Sequence, residues 1–120
     1  MELATETHAD ALVVRVHESR LDAAIAIRFK DRMRQLAPNA PPRVVLDLSR
    51  VGFLDSSGLG AVVAVMKLLA PAHRLELAGL TPMVAKVFRL TRMDEVLTIH
   101  ANPPSPDAAI PEVPNDAGAT

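Results

Sequence analysis

The sequence predicts an α/β fold: a single domain built on a mixed, mainly parallel β-sheet with helices packed on it, in the order ββαβαβαβ. Three observations carry this. Short β-branched and aliphatic runs alternate with segments of helical period, the arrangement that builds parallel sheets through right-handed crossovers. Prolines and capping residues mark the junctions between them. A hydrophobic content of 49% over 120 residues supplies one core, which is aliphatic because the chain has no Trp or Tyr.

Taken in order, Glu2 to Thr7 reads as a short edge strand pairing with Leu12 to Val16 (LVVRV) through a turn near His8-Ala9-Asp10. From Asp22, Ile25, Phe29, Met33 and Leu36 step by four, four and three. Arg28, Lys30, Asp31, Arg32 and Arg34 take the other side of this amphipathic helix, and Asp22 is placed to cap it. Pro38, Pro41 and Pro42 stop the helix, and Val44 to Leu48 follows as a buried strand. A second helix runs from about Ser57 to Ala70 and ends at Pro71. Leu75 to Ala78 is a third buried strand, Pro82 opens a helix through Leu90, and Leu97 to His100 is the last strand. These elements make residues 1–100 the domain. Beyond it, Pro103, Pro104, Pro106, Pro111 and Pro114 fall among Ala, Asn and Asp without period, the composition of a disordered tail over 101–120.

A formal net charge of −1 gives no attraction to nucleic acid, and only three Phe are available to stack on bases. The absence of cysteine removes thiol and zinc-thiolate chemistry. The N-terminus lacks a signal-peptide pattern, and the longest apolar run, Leu59 to Leu69, is interrupted by Lys67 and falls short of the roughly 20 residues a membrane span needs. The expectation is a cytoplasmic protein without membrane or nucleic-acid contact. His8, His17, His73 and His100 are scattered, with no spacing that builds a metal site, so they read as surface or strand-end residues. The basic side of the first helix is a solvated face or a docking face. Asp47, inside an apolar strand, belongs at a sheet end or in a hydrogen bond.

The stretch that invites chemistry is FLDSSGLGAVVAVMKLLA, Phe53 to Ala70. Asp55, Ser56 and Ser57 are all good caps for the second helix, which alone would explain them. Gly58 and Gly60 ask for more, since a glycine costs about 1 kcal/mol in a helix relative to alanine; either close packing or access for another molecule answers that cost. Leu59, Val62, Val63, Met66 and Leu69 form one apolar stripe, predicted to face the sheet. Ala61, Ala64, Val65 and Leu68 form a second, which is either covered by other helices or left open beside the serines as a protein-binding surface. Enzyme patterns are absent. A nucleophile elbow needs glycines two before and two after the serine, a phosphate-binding loop needs Gly-Lys-Ser/Thr, and the dinucleotide fingerprint needs a small residue where Val63 stands.

Together, LDLSRVGFLDSSGLGAVV, the ββα start and the βαβ finish resemble the STAS domain of anti-sigma factor antagonists, over about residues 1–100. The resemblance implies a non-enzymatic bacterial signalling protein that acts in transcription and stress responses by partner switching. Unphosphorylated, it binds an anti-sigma factor that is also an ATP-dependent serine kinase, and so frees a sigma factor. Phosphorylation of Ser56, the serine directly after the motif aspartate, ends that binding, and a serine phosphatase of the metal-dependent type restores it. The implied partner surface comprises Asp22, Asp55, Ser56, Ser57, Gly58, Leu59, Ala61, Ala64, Val65 and Leu68, with no cofactor and no metal. Two departures from the family pattern stand out: Ser19 fills a turn where a glycine is common, and Arg92-Met93 replaces a Gly-Leu step. Other readings of the residues are a STAS module serving a lipid-transport or stress-signalling assembly, a nucleotide- or anion-binding module using the helix start at Ser56 to Gly58, and, more distantly, a hydrolase using Ser56.

Overall fold

The structure, a computed structural model, describes residues 1–8 and 10–102; the expected tail therefore lies outside the described residues except for Ala101 and Asn102. Five strands form one sheet: β1 (Leu3–His8), β2 (Ala11–Val16), β4 (Arg43–Asp47), β6 (Arg74–Ala78) and β7 (Thr98–His100), in the order β1-β2-β4-β6-β7. β1 is antiparallel to β2, and every other pairing is parallel. Helices α1 (Ala23–Leu36), α2 (Ser56–Leu69) and α3 (Pro82–Leu90) make the crossovers. The mixed, mainly parallel sheet and the element order match the sequence expectation.

Two further strands have no counterpart in that expectation. β3 (Arg20–Leu21) and β5 (Phe53–Leu54) pair in parallel as a separate two-stranded sheet, Arg20 beside Phe53 and Leu21 beside Leu54. Two residues are too few to show a period, so pattern reading passes over them. Each strand leads directly into a helix, which fixes where α1 and α2 begin.

Strand residues of one sheet face, including Val14, Val16, Val44, Leu46, Leu75 and Leu77, share the main core with Phe29 and Met33 of α1, Val62 and Val65 of α2, and Val84 and Phe88 of α3. The stepping of Phe29 and Met33 predicted from sequence thus buries the inner face of α1, with Ala26. The opposite face of the sheet holds a small cluster of strand residues only, Ala11, Val13, Val45 and Ala78.

That second face also carries a buried charge cluster. Arg43 Nε and Nη2 donate to Glu76 Oε2 and Oε1 at 2.9 and 2.8 Å, Arg74 Nε donates to Oε2 at 3.1 Å, and His100 Nε2 lies 2.7 Å from Oε1. Glu76 is fully buried. Burial alone would raise its carboxyl, but the hydrogen bonds from Arg43, His100 and Arg74 and the charge of Arg43 outweigh that and hold it below the ordinary glutamate value. His100 ends β7, as expected, and is in addition a partner of a buried carboxylate. Asp47 is both at a strand end and hydrogen-bonded: its Oδ1 accepts from Ser49 N at 2.9 Å. Where Arg92 replaces a glycine step, the backbone is left-handed, φ 61°, a conformation that costs an L-residue roughly 1–2 kcal/mol.

Two stability predictions follow from this geometry. Because its folded pKa is depressed, Glu76 contributes stability that is present above its ordinary value and lost as pH falls through the folded value. Glu76→Gln should therefore cost roughly 3–5 kcal/mol at pH 7 by leaving buried positive charge under-compensated, and should flatten the acid limb of stability against pH in denaturant titrations; a loss under about 1 kcal/mol would contradict this. Arg92→Gly should instead raise stability by about 0.5–1 kcal/mol, the relieved strain less the added chain entropy, read as a higher melting temperature.

Candidate functional site

The β3–β5 pairing sets two helix starts side by side. Asp22 follows β3 and caps α1: its Oδ1 accepts from Ala24 N at 3.1 Å, and Oδ2 accepts from Arg20 Nε at 2.9 Å. The Arg20 hydrogen bond, opposed by desolvation and aided by the Ala24 N–H, holds the Asp22 carboxyl below the usual aspartate value. Arg20 also stacks over the Phe53 ring, 4.8 Å from its centroid, tying the two short strands together by side chain as well as backbone.

Asp55 follows β5 and caps α2. Its Oδ1 accepts from Gly58 N at 2.9 Å while Oδ2 accepts from Ala23 N, in the first turn of α1, at 3.3 Å. One carboxylate therefore satisfies an orphan N–H on each of two helices. The capping expected of the Asp55-Ser56-Ser57 group falls to the aspartate alone. Ser56 and Ser57 occupy the first two positions of α2, exposed, and among the described residues neither hydroxyl takes part in a hydrogen bond.

The two glycines turn out to differ. A Cβ on Gly58 would fall on the Leu21 carbonyl oxygen, 2.8 Å from its carbon and 3.2 Å from Leu54 Cγ. Close packing of α2 on β3 thus explains this glycine. Gly60 meets nothing within 4 Å of an added Cβ and is exposed, so its smallness leaves open surface beside the serines.

The faces of α2 require a correction. Its buried stripe is Gly58, Ala61, Val62, Val65 and Leu69, so Ala61 and Val65, expected on the open partner surface, lie in the core. The reason is that α2 packs against α1 as well as against the strands, so more than one of its faces is covered. Gly58 is likewise buried under Leu21 and presents no surface to a partner. Val63, assigned to the sheet-facing stripe, is only half-buried. What remains outward is Ser56, Ser57, Gly60, Lys67 and Leu68, bordered by the half-buried Leu59, Val63 and Ala64. Of the expected partner residues, Asp22, Asp55, Ser56 and Ser57 are brought together at the paired helix starts, and Leu59, Ala64 and Leu68 continue from them along α2.

No helix among the described residues is long and apolar enough to cross a membrane. The STAS domain family model matches residues 2–105. Among solved structures, the chain is similar to an anti-sigma factor antagonist from Mycobacterium paratuberculosis, with 25% identity, 88% of this chain and 87% of that one covered, and a TM-score of 0.74. It is similar to SpoIIAA in its unphosphorylated form (24% identity, 83% and 89% covered, TM-score 0.67) and to the Bacillus SpoIIAA in its phosphorylated form (23%, 83% and 92%, 0.62). A sulfate transporter family protein from Wolinella succinogenes shares the fold at 15% identity, with 81% and 82% covered and a TM-score of 0.68.

The two glycines give opposite predictions by alanine substitution. Gly58→Ala should destabilise by about 2–4 kcal/mol, since backbone must move to admit the methyl. Gly60→Ala should stabilise by about 0.5–1 kcal/mol through helix propensity. Urea unfolding of the two variants checks both; equal effects would contradict the close approach of α2 to β3.

Proposed function

Since the chain belongs to the STAS domain family, we propose that it is an anti-sigma factor antagonist whose binding is controlled by phosphorylation of Ser56. The observation that carries this reading is the Ser56 hydroxyl, exposed at the first position of α2 and released from capping because Asp55 makes that bond. In this proposal the unphosphorylated protein acts in the cytoplasm, binding an anti-sigma factor that is an ATP-dependent serine kinase and freeing the sigma factor. The kinase modifies Ser56 and the complex dissociates; a metal-dependent serine phosphatase resets the cycle. Catalysis belongs to the partners, and this chain contributes a binding surface: Asp22, Asp55, Ser56 and Ser57, then Leu59, Ala64 and Leu68 along the outer side of α2.

Physical chemistry supports a switch at the interface rather than in the fold. A phosphate adds about −1.5 to −2 charge, and the free N–H groups and dipole at a helix start favour it there. The same charge joins Asp22 and Asp55 in a patch that the partner meets. Against one partner carboxylate about 6 Å away, at an effective dielectric of about 20, each added charge costs roughly 2.8 kcal/mol, so two charges lower affinity more than a thousandfold.

The similarity to a sulfate transporter family protein favours a second reading, a STAS module that docks in another assembly. In that reading Ser56 stays unmodified, and nothing in the chain's binding depends on it.

The two serines separate these readings. Incubated with ATP and the ATPase-type anti-sigma factors of the source organism, the wild type and Ser57→Ala should incorporate phosphate at Ser56, mapped by peptide mass spectrometry, while Ser56→Ala should incorporate none. Label on Ser57, or no label on any of the three, would overturn the assignment.

A further inference from the structure

Arg20 is held at the paired helix starts without being used up. Its guanidinium lies 4.8 Å from the Phe53 ring centroid, and its Nε donates to Asp22 Oδ2 at 2.9 Å, so its orientation is set from two sides. An arginine carries five N–H donors. Among the described residues only the Nε donor of Arg20 is in a hydrogen bond, which leaves the four on its terminal nitrogens unused. The side chain is 62% exposed, against 17% for Asp22. A guanidinium with a fixed orientation and an open fork is matched to an oxyanion presented from outside.

The location indicates which oxyanion. Arg20 is paired with Phe53 in the β3–β5 ladder, three residues before Ser56. One strand spacing and three residues of chain put the Cα atoms of Arg20 and Ser56 at most about 12 Å apart. The arginine leans along that path, toward Asp22 at the end of its own strand. Asp22 Oδ1 accepts from Ala24 N, and the neighbouring Ala23 N donates to Asp55, the residue before Ser56. Among the described residues Arg20 is the one cation bonded to either aspartate. The Ser56 side chain is exposed on the same helix start.

A phosphate on Ser56 competes with Asp22 for this guanidinium on favourable terms. The carboxylate offers one charge and holds Arg20 by Nε alone. The phosphate offers about −1.5 to −2 charge and three acceptor oxygens, enough to engage the fork.

Building on the reading of Ser56 as the modified serine, we propose that Arg20 is an intramolecular clamp for its phosphate. The guanidinium pivots on the Phe53 ring, gives up Asp22 Oδ2 and binds the phosphate oxygens through its terminal nitrogens. Asp22 keeps its cap on Ala24 N and turns an unpaired carboxylate oxygen outward. Modification then alters the surface at two places, Ser56 and Asp22, and the charge it adds to the patch is unchanged because Arg20 only exchanges partners.

The test uses the full-length protein with phosphoserine installed at position 56 during translation. Phosphorus NMR follows the second ionisation of the phosphate, and nitrogen-15 NMR follows the Arg20 Nε–H resonance. The proton dissociation constant of the phosphate is expected to be about threefold larger in the otherwise wild-type protein than with Arg20→Gln. Arg20→Lys, which keeps the charge and loses the fork, should fall between them. The Arg20 Nε–H resonance should shift between the unmodified and phosphorylated proteins. Equal dissociation constants with and without Arg20→Gln, or an Arg20 resonance that phosphate leaves in place, would overturn the clamp. Because the phosphoserine is installed, this result is independent of the kinase labelling that tests Ser56 as the acceptor, and the two can fail separately.

Discussion

The Asp55 carboxylate, held between Gly58 N and Ala23 N, is the contact on which the site depends. It joins the first turns of α1 and α2, and it does so because β3 and β5, each two residues long, bring Leu21 and Leu54 into register just before those turns. The closeness of the two helix starts in turn presses Gly58 onto the Leu21 carbonyl, where no side chain fits. A larger residue at 58 would lift α2 and open the Asp55 bridge. With both helix starts capped by aspartates, the serines that follow Asp55 are spare, and a spare hydroxyl on a rigid helix start is suited to modification without unfolding.

The chain keeps stability and proposed switching on separate surfaces. The buried Glu76 and its three basic partners lie on the helix-free side of the sheet, along β4, β6 and β7. The serines lie at the head of α2 on the opposite layer. A buried ion cluster contributes little net stability over an apolar core of the same shape, yet it is costly to break, and here its hydrogen bonds join β4, β6 and β7 away from the helix starts. In the proposed switch, phosphate at Ser56 would change the charge of a surface patch already bearing Asp22 and Asp55 and would leave the core residues of α2 in place.

Much of this was legible in the sequence, and the omissions have physical causes. Phe29 and Met33 marked the inner face of α1, Asp22 marked its cap, and the proline positions bounded the strands correctly, because those signals are local. The β3–β5 pair left no trace, since two residues carry no period. The faces of α2 are not readable from sequence, because nine of its residues are apolar and nothing local says that α1 as well as the strands packs against it and that Ala61 and Val65 are buried. Glu76 gives no signal inside its apolar run, because its partners lie 33 residues earlier at Arg43 and 24 later at His100. Non-local packing and pairing decided each omission. The same distinction explains the glycines: the sequence showed that both needed a reason, and only the neighbouring chain showed that Gly58 is forced while Gly60 is free.

In the proposed switch, modification of Ser56 alters binding and not folding. The direct test measures two quantities on one stoichiometrically Ser56-phosphorylated sample: its melting temperature, and its affinity for the cognate anti-sigma factor by calorimetry. The expected melting temperature lies within a few degrees of that of the unmodified protein, and the expected affinity is lower by about a thousandfold or more. Unchanged affinity would contradict it, and so would an affinity loss matched by a comparable loss of stability, which would place the effect in the fold.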